Sequence, residues 1–278
     1  MCSVGTGRTP RTIFITGASS GIGEALASLY AEPGRTLGLL ARREAALHAV
    51  AVRCRARGAE VEVYPVDVAD AHAVHAAASA FLSRVGEVDL VIANAGISLR
   101  DDETGGDDRV PREVMAINFL GAVQTLAPFI PTMEARGAGS LVAVSSVAGF
   151  RGLPNAGAYS ASKAALNAWM ESLRLRLDGR VHVMTVCPGF VTTPMTAANP
   201  FPMPWLLSAD EAARRIARGV RRRTVVIVFP RRMRWLMLLV SAAPPWLYDR
   251  AVRWVRSRRP EVFHRSTAAP SKTGDRDD

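Results

Sequence analysis

Residues 12–23 read TIFITGASSGIG, and this stretch decides the fold. Thr12–Thr16 is β-branched and aromatic, the composition of a short buried strand. Three glycines, Gly17, Gly21 and Gly23, then fall within seven residues, and Gly21–Ala31 carries a helical pattern. A strand running through a glycine turn into a helix lets backbone N–H groups at the helix N-terminus meet a pyrophosphate. Three residues rather than one separate the first two glycines, so the spacing departs from the usual dinucleotide fingerprint. Taken alone, the loop also reads as a tight strand-to-helix turn.

Downstream, short β-branched runs alternate with longer helical patterns, which predicts an α/β fold: a Rossmann-type, doubly wound parallel sheet of about seven strands flanked by helices. Strands are expected at Thr36–Leu40, Val61–Val66, Val88–Ile92, Leu141–Val144, Val181–Val186 and Val225–Phe229. Helices are expected over 43–57, 70–84, 111–135, 159–178 and 211–222. The 278 residues, 49% hydrophobic and 22% charged, suit one large domain over 10–230 with a sizeable core, and exclude disordered, collagenous and disulfide-scaffold classes. Cys2, Cys54 and Cys187 are too scattered for a disulfide framework or a four-ligand zinc site. The five histidines lack metal-ligand spacing, and no metal is expected. The N-terminus, MCSVGTGRTPRT, has no apolar core of a signal peptide.

Two further clusters carry chemistry. After the second strand comes Ala41-Arg42-Arg43, where a dinucleotide fold meets the adenosine ribose. An acid there would accept the 2′-hydroxyl of NAD; two arginines suit a 2′-phosphate by charge and fork geometry. The plainer reading is a helix start in an Arg-rich chain. The second cluster is Ser145-Ser146 at a strand end, followed by Tyr159 and Lys163, four apart on one helix face. A nearby ammonium stabilises tyrosinate, which suits Tyr to acid–base work. Such a pair can also be a plain surface contact. Of 35 basic residues, however, only Lys163 and Lys272 are lysine, so a lysine at this spacing is informative.

With these motifs in hand, the sequence resembles the classical short-chain dehydrogenases/reductases over roughly residues 12–195. The resemblance rests on TGASSGIG (16–23), Asp67-Val68, Asn94-Ala95-Gly96, Asn118, SSVAG (145–149), YSASK (159–163) and PGFVTT (188–193). It implies an oxidoreductase moving a hydride between NADP(H), with NAD(H) as second choice, and a carbonyl or secondary alcohol. It further implies that Tyr159 exchanges the proton, that Lys163 lowers its pKa and holds the nicotinamide ribose, and that Ser146 polarises the carbonyl. Asn118 would hold a water linking Lys163 to solvent. The cofactor would lie on Gly17, Ser19, Ser20, Gly21, Ile22 and Gly23, with Arg42 and Arg43 selecting NADP. Asp67 and Val68 would meet the adenine, and Asn94, Ala95 and Gly96 would line the adenosine side. Pro188, Gly189, Val191 and Thr193 would hold the carboxamide. A homo-oligomer, dimer or tetramer, is the family's habit.

The C-terminal third adds what the family pattern lacks. Residues 189–208, the family's substrate-covering segment, include Phe201, Met203, Trp205, Leu206 and Leu207. They point either to an apolar, lipid-like substrate or to packing on the body. Residues 214–259 hold fourteen arginines and one acid, Asp249, although the chain carries only +10 overall. Over 231–263 the arginines interleave with Trp235, Leu236–Leu239, Trp246 and Trp254, a basic amphipathic helical extension. It suits a membrane surface contact through 231–259, a subunit interface, or merely an Arg-rich exterior. The greasy stripe argues against nucleic acid. The apolar run 235–247 is too short to span a bilayer and contains Pro244-Pro245. A cytoplasmic protein is expected, peripheral at the inner membrane face if the contact is made, with a disordered tail over 264–278. The alternative to an enzyme is a membrane-surface NADP-binding scaffold or sensor without turnover.

Overall fold

The computed structural model describes residues 9–101, 107–197 and 202–258. Seven strands form one parallel sheet: β1 (Thr12–Thr16), β2 (Thr36–Leu40), β3 (Glu60–Tyr64), β4 (Leu90–Ala93), β5 (Ser140–Val144), β6 (His182–Pro188) and β7 (Val226–Phe229). Their order is β3-β2-β1-β4-β5-β6-β7. The chain winds outward from β1 to β3, then returns to place β4 on the other side of β1, where Ile13 faces both Leu37 and Leu90.

Parallel strands need helical crossovers, so both faces of the sheet are covered and the central strands β1, β2, β4 and β5 are largely apolar, while the edge strand β3 keeps Glu60 and Glu62. Ile13 and Ile15 point into one core with Leu26, Leu47, Ile92 and Ile216. Phe14, between them, points into the other with Phe81, Phe129 and Leu166. The helices are α1 (Gly21–Tyr30), α2 (Glu44–Ala56), α3 (Ala71–Val85), α4 (Arg109–Arg136), α5 (Gly157–Leu177), α6 (Pro194–Ala197), α7 (Ala209–Arg221), α8 (Arg231–Ala242) and α9 (Pro245–Arg258). Among the described residues, α4 is the one helix long and apolar enough to cross a bilayer. Half of its apolar stretch is buried, with Val114, Ile117, Leu126, Phe129 and Met133 in the core. It is interrupted by a π turn at Ala116–Leu120 and a 3₁₀ turn at Ala127–Phe129, the latter beside Pro128.

Differences from the sequence expectation are local. β3 stops at Tyr64 because the Val66 N–H turns back to the Tyr64 carbonyl, at 2.9 Å. The 188–208 segment carries the short helix α6, and its base is closed where the Thr192 N–H meets the Leu207 carbonyl at 2.8 Å. Phe201 of that segment and the expected tail over 264–278 lie outside the described residues. The 231–263 extension is described to 258 and consists of two helices, parted at Pro244-Pro245 because proline opens a helix but cannot continue one.

One glycine is set by packing alone. Phe14 stacks on Phe81 and Phe129 with ring centroids 5.4 and 5.1 Å apart. A Cβ on Gly38 of β2 would lie 2.6 Å from the Phe14 ring and 2.9 Å from Phe81. Gly38→Val should therefore overpack this layer and lower unfolding free energy by about 1–3 kcal/mol, read by urea denaturation.

Candidate active site

The carboxyl ends of six strands open on a cleft of about 370 Å³. At its floor, the chain leaves β1 at Gly17 (φ 67°) and enters α1 at Gly21 (φ 59°), left-handed conformations that glycine adopts without strain. A Cβ on Gly17 would lie 2.8 Å from the Ala95 Cα, and one on Gly23 would strike the Gly17 carbonyl oxygen. Asn94 braces the turn, its Nδ2 donating to the Thr16 and Gly17 carbonyls at 3.1 and 3.3 Å. Ser20, at the N-cap of α1, lends no side-chain cap, which leaves the first N–H groups of that helix facing the cleft.

Above the turn, Arg43 Nη2 donates to the Ser19 and Ser20 hydroxyls at 3.2 and 2.6 Å. Arg42 pairs instead with Asp67, 3.4 Å away, while Asp67 also accepts the Ala69 N–H at 3.0 Å. A helix N-terminus, two hydroxyls and a guanidinium converge on one end of the cleft, the donor set of an anionic, phosphate-bearing group. The glycines keep the backbone close enough for such a group to approach it. The residues thus fit a dinucleotide.

At the other end stand the reactive side chains. Ser145 and Ser146 follow β5 in extended backbone and point opposite ways. Ser145 Oγ, fully inside, donates to the Lys163 carbonyl at 3.2 Å and so pins α5. Ser146 Oγ accepts the Ala148 N–H at 3.1 Å and hydrogen-bonds the Tyr159 hydroxyl. Burial pushes the Tyr159 phenol above its ordinary value, and that bond from Ser146 pulls it partly back. The Lys163 ammonium donates to the Val144 carbonyl at 2.9 Å and lies 5.8 Å from the centre of the Tyr159 ring. Burial lowers the pKa of Lys163 to about 8, so at neutral pH it is still mostly a cation.

Asn118 lies outside the cleft wall, fully buried in the π turn of α4, a device that often marks functional helices. Its Oδ1 accepts the Ile97 N–H at 2.8 Å, while Nδ2 donates to the Ile97 carbonyl at 2.9 Å and to Ser162 Oγ at 3.1 Å. The place a Cβ of Gly96 would occupy is 3.1 Å from Asn118 Oδ1 and 3.5 Å from Lys163 Nζ, so glycine there keeps the two in reach of each other.

A model of the short chain dehydrogenase family matches residues 11–201. An uncharacterized oxidoreductase of Myxococcus xanthus is 39% identical over 88% of this chain and 98% of its own length. An 11-beta-hydroxysteroid dehydrogenase-like protein of Arabidopsis thaliana is 32% identical over 85% of this chain and 79% of its own length. Among solved structures, a short-chain dehydrogenase from Sphingobium yanoikuyae in complex with NADPH superposes with a TM-score of 0.73 at 26% identity, covering 94% of this chain and 98% of its own.

This chain belongs to the short chain dehydrogenase family.

The dehydrogenase cleft gathers nearly all of the residues expected from sequence. Gly17, Ser19, Ser20, Gly21, Ile22, Arg42, Arg43, Asp67, Val68, Asn94, Ala95, Gly96, Ser146, Tyr159, Lys163, Pro188, Gly189, Val191 and Thr193 all line it. Gly23 and Asn118 do not, the first because it packs under the turn and the second because it stands behind Lys163. Sequence reasoning missed Ile97, Ile117 and Val144, apolar wall residues with no motif of their own. Pro194, Met195 and Thr196 were missed too, because they carry no family motif and sit on the short helix α6, which the sequence does not predict. Burial pushes the Cys187 thiol up to about 12, as suits a small buried residue near the end of β6. Among the described residues no three His, Cys, Asp or Glu side chains gather as a metal cluster.

The depressed Lys163 pKa makes a stability prediction with a definite sign. Between about 8 and 10.5 the unfolded chain holds more proton than the folded one, so stability gains with rising pH. Below about 8 the buried ammonium costs folding energy in full. The urea midpoint of the wild type, measured relative to Lys163→Met, should therefore climb from pH 8 to pH 10; a flat difference would mean the ammonium is not desolvated.

Proposed function

We propose that this dehydrogenase uses NADP(H), with NAD(H) as the poorer alternative, to interconvert a lipophilic ketone and its secondary alcohol. The observation that carries the reading is the Ser146–Tyr159 hydroxyl pair, backed by the Lys163 cation, at one end of a cleft whose other end is built for phosphate. Arg43, held over Ser19 and Ser20, supports preference for the 2′-phosphate, with Arg42 beside it already partly satisfied by Asp67. The NADPH complex of the Sphingobium relative supports the same choice.

When bound, the nicotinamide supplies or accepts the hydride. Ser146, its oxygen polarised by the Ala148 N–H, donates to the substrate carbonyl oxygen and orients it. Tyr159 gives that oxygen its proton in reduction and removes it in oxidation. Lys163 supplies the positive charge that lets the phenol part with a proton against the cost of burial. Asn118 fixes the Ile97 backbone in the loop after β4 beside Lys163, with Gly96 leaving the space for a proton path between them. Pro188, Gly189, Val191 and Thr193 form the carboxamide side, and Gly189 is tied down where its N–H meets the Phe229 carbonyl at 2.7 Å.

The apolar side of the proposal rests on the covering segment. Met195 lines the cleft, and Trp205 and Leu206, farther along the same segment, stand exposed. The name of the Arabidopsis relative, a hydroxysteroid dehydrogenase-like protein, supports a bulky apolar alcohol. The catalytic unit is residues 10–230, cytoplasmic, and assembled as a dimer or tetramer.

The test is NADPH oxidation, followed by absorbance, against ketones and 3-oxoacyl derivatives of increasing chain length, with NADH in parallel. Turnover should climb with chain length and favour NADPH. Tyr159→Phe should reduce kcat by about 10²- to 10⁴-fold and leave NADPH binding intact. Arg43→Ala should raise KM for NADPH about 10- to 100-fold with little change for NADH. Tight NADPH binding with no turnover of any carbonyl would overturn the enzymatic reading.

A further inference from the structure

Helices α8 and α9 carry seven large exposed apolar side chains, three of them tryptophans. Successive helical residues turn about 100°, so α8 splits into two sides. Met233, Met237 and Val240 face the body, and Met233 is buried against Gly189 at the cleft floor. Trp235 and Leu239, on the opposite side, are 66% and 73% exposed. The same holds for α9, where Tyr248, Val252 and Val255 turn inward while Trp246 and Trp254 are 68% and 55% exposed.

Charge separates the candidate occupants. Residues 231–258 contain seven arginines and one acid, Asp249. None of the seven makes an ion pair with a carboxylate among the described residues, whereas arginines across the body do so repeatedly. A second copy docking through the same face would set this positive charge against itself. A nucleic acid would leave the tryptophans and leucines without a partner. Exposed tryptophan and leucine flanked by guanidinium groups without carboxylate partners, one of them (Arg258) stacked 4.5 Å over the Trp254 ring, match instead a surface with an apolar interior and an anionic rim.

We propose that α8 and α9 dock this protein on an anionic lipid bilayer, indoles and leucines entering the headgroup boundary and arginines holding the lipid phosphates. The helices are rooted on the segment between Ser146 and Tyr159. Tyr248 donates its hydroxyl to the Gly152 carbonyl at 2.7 Å, and the Arg151 guanidinium lies 4.6 Å over the Tyr248 ring. Arg151 Nη1 also donates to the Ala243 carbonyl at 3.1 Å, across the break between the two helices. This clamp keeps the lipid-facing helices beside the reactive serine and tyrosine. If the oxidoreductase reading above holds, the bilayer also delivers the apolar substrate.

The experiment is sedimentation of the full chain with phosphatidylcholine vesicles, with and without phosphatidylglycerol, alongside Leu239→Glu and Arg250→Glu, both exposed positions. The wild type should sediment with the anionic vesicles and remain in solution with the neutral ones. Each variant should bind about tenfold more weakly or worse, with unchanged thermal unfolding. Turnover of a short water-soluble ketone should be unaffected by either change, while turnover of a long-chain ketone carried in the vesicles should fall with binding. A wild type that stays in solution with both vesicle types overturns the proposal. So does light scattering in which Leu239→Glu breaks an oligomer while vesicle binding is untouched, which would make this face a contact between copies. Failure of every carbonyl to react would sink the enzymatic reading alone, since sedimentation is read without turnover.

Discussion

All seven strands of this sheet run the same way, so every strand delivers its carboxyl end to one rim. Between β1 and β4 the winding reverses, and the helices that follow the two strands go to opposite faces of the sheet. No crossover can cover the rim there, so a crevice opens. The glycine turn stands after β1, the arginines after β2, Asp67 after β3, the Asn94–Gly96 segment after β4, the serines after β5 and Pro188-Gly189 after β6. Groups scattered over some 170 residues meet because of that single topological fact.

Packing around the crevice then decides which neighbouring atoms face it. Ser145 and Ser146 are adjacent and chemically identical, yet strand geometry sends one to brace the backbone of α5 and the other to the Tyr159 hydroxyl. Lys163 is held inside by the Val144 carbonyl, and its ammonium pays in desolvation for a place beside the phenol. Two glycines of the β1 turn have no room for a methyl group, and a third, Gly96, leaves space between Asn118 and Lys163. The rigidity of the site thus comes from contacts too close for any side chain.

The basic C-terminal helices obey a different logic from the body. In the sheet domain charge is neutralised locally, as with Arg53 on Glu24 and Arg136 on Glu87. In α8 and α9 it is left unpaired beside exposed indoles, while the inward sides of the same helices are anchored by Met233 and Tyr248. One element pair therefore combines a firm seat beside the Ser146–Tyr159 end of the cleft with an outer side whose arginines have no carboxylate partner among the described residues.

Much of this was legible in the linear pattern. Period-two and period-3.6 hydrophobicity located the seven strands and the helices of the body other than α6 to within a few residues, and the family motifs identified nearly the whole cleft wall, because strand ends and glycine turns are local in sequence. Ile97, Ile117 and Val144 were not legible, since an apolar wall residue looks like any core residue until the chain is folded. Neither was the partition of labour between Arg42 and Arg43: both are arginines, and only the reach of each side chain to Asp67 or to Ser19 and Ser20 separates them. The helix α6 was hidden by surrounding prolines. Local spacing dictates which backbone turns and helices form; which of two like side chains faces the cleft, and how far a charge is desolvated, depend on contacts between residues distant in sequence.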